Sequence, residues 1–202
     1  MEINNKFQVH KALQILYYLQ SKANNATEKY YYLYLLKLFF FADRFHIRHY
    51  GFPIIDTRYT AQKLGPVASE ICDLLKKTSW LQVSETEKKE IEKNIQEKSE
   101  KERTILPQSQ DLLSESDIEA LDFAIKNFSK LDRWTLSDIT HDYPEWKSSR
   151  EDGDMDYLDF FKNVDVENTK YLSRHFKSDP FEMDEDELNF NKNQFENFHN
   201  AF

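Results

Sequence analysis

Residues 30–67 read YYYLYLLKLFFFADRFHIRHYGFPIIDTRYTAQKLGPV, and these 38 residues decide the fold. Leu33, Leu36, Leu38, Phe39, Phe40 and Phe41 place apolar side chains almost all the way round a helix, which is the pattern of a helix buried on every side. The character then changes. Asp43, Arg44, His46, Arg48 and His49 form a polar, largely basic shoulder. Gly51 suits a left-handed cap behind it, and Pro53 cannot continue a helix. Residues 54–61 are β-branched and extended in character. Gly65-Pro66 is read as a turn whose proline opens the next helix.

Outward from this stretch, residues 6–21 carry an amphipathic stripe at Val9, Ala12, Leu13, Leu16 and Leu19, and the spacing predicts a helix. Thr27 is a candidate cap for the next one. After Pro66, Val67, Ile71, Leu74 and Leu75 predict an amphipathic helix, with Cys72 as a reduced core thiol within it. Residues 80–83 and 103–106 are candidate strands that join residues 54–61 in one small antiparallel sheet. Between them, 13 of the 20 residues in 84–103 are charged, with the signs interleaved, which reads as a solvated connector or exposed helix. Ser114, with Asp117 three residues on, opens a helix whose buried stripe is Ile118, Leu121, Ala124, Ile125 and Phe128. Residues 131–140 predict a shorter one.

The composition fits this outline. A chain of 202 residues with 40% hydrophobic and 15% aromatic content can bury a sizeable core, and only three glycines and five prolines favour helices over a loop-rich sandwich. No apolar run is long enough to span a membrane, and MEINNKFQVH lacks a signal-peptide pattern, so a cytoplasmic protein without a membrane partner is expected. The net charge of −9 is uneven: residues 1–150 hold 22 acidic and 22 basic side chains, and residues 151–202 hold 14 acidic and five basic ones. The expected architecture is therefore mainly α (α+β). A single helical domain, residues 1–150, surrounds a buried central helix and carries a small antiparallel β element. An acidic, aromatic-rich C-terminal extension, residues 151–202, follows it. Its phenylalanines at 181, 190, 195, 198 and 202 are hooks in a segment too polar to fold alone, of the kind that orders on a partner, and the equal alternative is that residues 160–202 wrap the domain's own core.

The sequence offers little for catalysis, and no cofactor or metal site is expected. Asp43, His46 and His49 are the best metal-like cluster, but Asp43 and His49 lie about 120° apart on a helix, so a polar helix end is the better reading. His141 and Glu145 are four apart with Pro144 between them, and one histidine does not make a zinc-protease pair. There is neither a Gly-x-Ser-x-Gly elbow nor a glycine-rich phosphate loop. Lys37, set among apolar residues, is expected to reach outward along its stem or to pair with Asp43 or Asp56.

Two blocks carry a resemblance to a known family: LLKLFFFADRFHIRHYGFPIIDTRYTAQKLGPVASEICDLL at residues 35–75, and LSESDIEALDFAIKNFSKLDRWTLSDITHDYPEWKSSR at residues 113–150. In these the chain resembles the Panacea-domain proteins, also described as SocA-like or GepA-like, many of which are antitoxins of bacterial and phage toxin–antitoxin pairs. The resemblance implies an antitoxin that binds a cognate protein toxin encoded in the same operon. Some members are adaptors that deliver the toxin to a AAA+ protease, so a protease or chaperone is a further expected partner. The alternative is a DNA-binding autoregulator, which the acidic chain makes a poor phosphate binder. Two surfaces are expected at the toxin interface. One is the acidic extension, with Phe181, Phe190 and Phe195; the other is the segment after the central helix, with Tyr50, Arg58 and Tyr59.

Overall fold

Every residue in 34–48 is buried in helix α2 (Tyr32–Tyr50), the axis of the molecule. The computed structural model describes residues 5–78 and 83–200. Because α2 presents apolar groups in all directions, neighbours pack on it from several sides. They are α1 (Asn5–Lys22), α3 (Ser69–Lys76), α5 (Glu115–Phe128), α6 (Arg133–Thr140) and α8 (Glu185–Asn200), with α5 making the broadest contact. Short α4 (Glu85–Asn94) and α7 (Pro144–Lys147) complete the helices. The end of α2 is set as its sequence predicts: Gly51 takes φ 75°, and its N–H donates to the Ile47 carbonyl at 2.9 Å. A Cβ at Gly51 would stand 2.8 Å from the Asn191 carbonyl oxygen, so glycine there also lets α8 cross the end of α2 closely.

The β structure differs from the expected single sheet. Strand β1 (Tyr59–Gln62) pairs antiparallel with β2 (Gly65–Ala68), Tyr59 opposite Ala68 and Gln62 opposite Gly65. Separately, β3 (Ile95–Glu97) pairs with β4 (Arg103–Ile105). Residues 54–58 thus stay outside the strands, and Pro66 lies within β2 instead of opening α3, which starts at Ser69. The reason is the two-residue Lys63-Leu64 turn, closed by Gly65 at φ 89°, a conformation that costs glycine little. Of the candidate strand at 80–83, residues 80–82 lie outside the described residues, and Val83 packs against the core without strand geometry.

Residues 84–103 are more ordered than their charge suggests. Ser84 accepts from the Glu87 N–H while the Glu87 carboxylate accepts from the Ser84 N–H, a reciprocal capping box that starts α4. Ser114 and Asp117 make the same arrangement at α5, as expected. Thr27 does not cap: its hydroxyl donates to Asn25, and α2 begins at Tyr32 with no side-chain cap. Cys72 is a buried thiol, and burial raises its pKa.

Beyond residue 150 the chain folds back onto α2. Residues 152–155 bond alongside β1, with Ala61 N–H donating to the Gly153 carbonyl and Met155 N–H to that of Tyr59. Three 3-10 turns follow, Tyr157–Phe161, Val166–Asn168 and Leu172–Arg174, before α8. The buried Phe160, Leu172, Phe181, Leu188 and Phe195 extend the core that α2 began. Phe160, Phe181 and Phe195 order on the chain's own surface.

Candidate partner-binding surface

The polar residues at the end of α2 are locked inside. Arg48, with no solvent exposure, aims all its N–H groups at the returning segment: at the carbonyls of Phe160 (2.6 Å), Lys162 (3.0 Å) and Phe181 (2.9 and 3.2 Å), and at Asn163 Oδ1 (2.6 Å). Burial, and then the neighbouring Arg44 guanidinium, pull its pKa down to about 9. Arg44 pairs with Glu145 at 2.5 Å, both fully buried, and lies over the Tyr143 ring at 4.3 Å. Burial raises the Glu145 pKa, and Arg44 opposes the rise.

Asp43, His46 and His49 are likewise held apart by their own partners. Asp43 accepts from Ile54 N–H (2.6 Å) and the Tyr59 hydroxyl (3.0 Å). His46 bonds the Phe52 carbonyl (2.7 Å) and the Ser116 hydroxyl (3.1 Å), while His49 bonds the Phe45 carbonyl (3.0 Å). Burial lowers the pKa of both histidines. Among the described residues no group of three or more His, Cys, Asp or Glu side chains is arranged to hold a metal ion. His141 packs on Trp146 with ring centroids 4.1 Å apart, and Glu145 turns away to Arg44. Lys37 neither reaches outward nor pairs with Asp43 or Asp56. It is fully buried and donates to the Pro66 carbonyl at 2.7 Å, because β2 crosses α2 at that point.

The expected interface residues separate into two groups. Tyr59, Phe181 and Phe195 are interior. Tyr59 is 1% exposed and packs edge-on to Phe40, with Asp43 taking its hydroxyl. Phe181, with no exposure, stacks among Phe41, Phe123, Phe128 and Tyr143, and Phe195 lies against Tyr157 and Phe161. Their position in an acidic or extended segment hid this, since burial here depends on long-range return to α2. Tyr50, Arg58 and Phe190 do reach solvent. Tyr50 is half-buried, and its hydroxyl donates to Glu119 at 2.5 Å, a bond that with burial pushes its pKa up to about 12. Arg58 is exposed 3.7 Å from Asp154. Phe190 is 62% exposed on the outer face of α8, whose inner face is Leu188, Asn191 and Phe195.

Among the described residues three other large apolar side chains are exposed: Phe52, Leu64 and Trp134. Phe52 adjoins Tyr50 at the corner where α8 crosses α2. Leu64 tops the β1–β2 turn, which rests on α6 through the Ser137 hydroxyl bonded to the Leu64 carbonyl at 2.8 Å. Trp134 was legible in principle: with Leu136, Ile139 and Thr140 facing in, position 134 falls on the opposite side of α6.

Fold and surface together define a small, mainly α-helical domain ordered round one buried helix, the ionic groups of that helix turned inward and a few aromatics left out. The pattern of the antitoxin SocA-like, Panacea domain family matches residues 35–147, over half of the chain, and the protein belongs to that family. The family points to an antitoxin role. No characterised protein sequence and no solved structure matches the chain. Among the described residues no helix is long and apolar enough to cross a membrane.

Proposed function

We propose that the protein neutralises a cognate protein toxin by direct binding, and that the corner formed by the end of α2 and the outer face of α8 makes the contact. The observation that carries this reading is Phe190, 62% exposed one turn beyond Glu185, Asp186 and Glu187. An exposed aromatic with a carboxylate collar suits an apolar pocket on a basic surface: the ring supplies buried area, and the charges steer encounter. Phe52 and Tyr50 widen the apolar patch, and Arg58 stands outside it as a rim residue.

The test is co-purification with the product of the adjacent gene, together with rescue of growth when both are expressed. Phe190→Ala combined with Phe52→Ala is expected to weaken the complex about thirtyfold or more, on the scale of an interface hot spot. Thermal stability should stay unchanged for Phe190→Ala alone, whose ring faces solvent, and fall slightly with Phe52→Ala, whose ring packs edge-on to His46 at 4.9 Å. If Leu64→Ala with Trp134→Ala weakens binding instead, the contact belongs to the β1–β2 turn and α6. If wild-type protein yields no complex and no rescue, neutralisation by direct binding is excluded.

A further inference from the structure

The patch formed by Leu64 and Trp134 lies on the β1–β2 turn and α6, and its parts are held in place by the fold. The turn is braced on both sides: the Ser137 hydroxyl donates to the Leu64 carbonyl at 2.8 Å, and Trp146 Nε1 to the Gln62 carbonyl at 3.1 Å. The Arg133 guanidinium stands 5.1 Å from the Trp134 ring. That guanidinium is itself fixed, over the Tyr31 ring at 3.7 Å and against both Glu28 carboxylate oxygens at 2.7 and 3.0 Å. A tryptophan beside a locked arginine loses little side-chain freedom on binding, and both residue types dominate interface hot spots. The charge around it differs from that around Phe190. Glu28 offsets Arg133, and Asp132 is engaged as the cap of α6, accepting from the N–H groups of Trp134 and Thr135. Three exposed charges beside the apolar pair make no ion pair among the described residues: Lys63 next to Leu64, Lys130 in the turn before α6, and Asp138 on α6. Asp138 lies one turn beyond Trp134 on the same face, where Lys170 is near enough to feel its charge.

We propose that a second copy of the chain covers this patch, in a two-fold dimer whose α6 helices run antiparallel with Trp134 near the axis. Lys130 precedes the ring and Asp138 follows it. Antiparallel pairing therefore turns Asp138 of each copy towards Lys130 of the other, twice over, whereas parallel pairing sets like charges together. The same symmetry brings the apolar pair of one copy, Leu64 and Trp134, onto the identical pair of the other, so a ring that is exposed in the single chain gains a partner. A strongly charged partner suits the patch less well, because it carries both signs and lacks the run of three acids that precedes Phe190. The net charge of −9 is no obstacle to pairing here, since residues 1–150, which hold the patch, balance 22 acidic side chains with 22 basic ones. The inference goes beyond neutralisation and does not depend on it: one surface serves the toxin, and a different one joins two copies of the protein.

The experiment is sedimentation velocity of the full chain alone from ~1 to ~300 µM. The weight-average mass is expected to rise from 24.3 kDa towards twice that value, with a Kd of about 10–100 µM, on the scale of a small interface. Leu64→Ala combined with Trp134→Ala should stay monomeric throughout. Asp138→Lys or Lys130→Glu alone should weaken the dimer about fivefold, and the two together should restore it, a recovery that loss of fold cannot imitate. A wild-type chain that stays monomeric, association that survives the apolar double variant, or a charge swap as weak as either single reversal would each overturn the proposal. So would a dimer that Phe190→Ala dissociates, since that would place the contact on α8. A toxin that splits the dimer on binding would return the patch to the toxin and overturn the two-surface arrangement. A monomeric chain that still neutralises would end the dimer alone, and a dimer that binds no toxin would end the neutralisation reading alone.

Discussion

Lys37 and Asp43 are two ionisable groups that α2 carries wholly inside the protein, and each makes stability depend on pH in its own direction. Burial lowers the Lys37 pKa to about 7 and raises that of Asp43 to about 7. For Lys37 the unfolded chain binds the extra proton between pH 7 and its ordinary value of 10.5, so its burial cost is full below pH 7 and is relieved as pH rises through that window. For Asp43 the folded chain holds the extra proton between 3.8 and 7, so stability falls as pH rises across that range. Together the two groups place a minimum near neutrality. Lys37→Met should gain most over wild type below pH 7 and lose up to about 4 kcal/mol of that gain by pH ~10.5; Asp43→Asn should compare better at pH ~8 than at pH ~4. Denaturant titrations at several pH values would read both trends, and parallel profiles for variant and wild type would refute them. An oddly placed lysine is visible in the sequence. Its acceptor is not, because a backbone carbonyl such as that of Pro66 leaves no mark in residue type.

At the scale of elements, local chemistry was legible wherever it was strong. The stripe of α5, its Ser114–Asp117 box and the glycine stop of α2 all follow from short-range rules. Replacing Ser114 by Ala should cost about 1 kcal/mol and speed amide exchange in the first turn of α5 alone. An unchanged midpoint would show that the box contributes nothing there. The same motif at Ser84–Glu87 was masked by its surroundings, since charge density outweighs one buried apolar side chain, Ile91, when α4 is judged by hydrophobic period. The strands were hardest to read. Segments of three or four residues offer too little alternation to fix register, and Pro66 in β2 imitates a helix start.

For the whole molecule, the charge map gave the composition of the acidic segment but not its path. Phe181 and Phe195 were legible as hooks, and Phe190 as one of the same series. What separates them is the helical phase of α8 and the pull of Arg48, neither of which a residue list contains. Arg48 binds carbonyls of residues more than 110 positions away. Replacing it by Met would leave the Phe160 and Phe181 carbonyls without their donor, the Lys162 carbonyl keeping only Arg44 at 3.3 Å, and a loss of about 3–5 kcal/mol is expected, comparable with breaking a buried ionic contact. Chemical denaturation would measure this, and a loss under ~1 kcal/mol would mean that the aromatic packing alone retains residues 151–200. Conversely, Phe190→Ala should leave the midpoint in place, which distinguishes a surface ring from the core rings on either side of it.

The return of residues 160–195 to α2 also bears on how the protein is born. A ribosome releases α2 well before it makes Phe160, Phe181 or Phe195. Through that interval Arg48 lacks its carbonyls, and the rings of Phe41, Phe123 and Phe128 lack the one that completes their stack. The interior cannot close residue by residue as it emerges. It must wait for residues 160–195, so the part of α2 that faces them stays uncovered after α1, α3, α5 and α6 have been made, and that part of the native surface forms last among these elements.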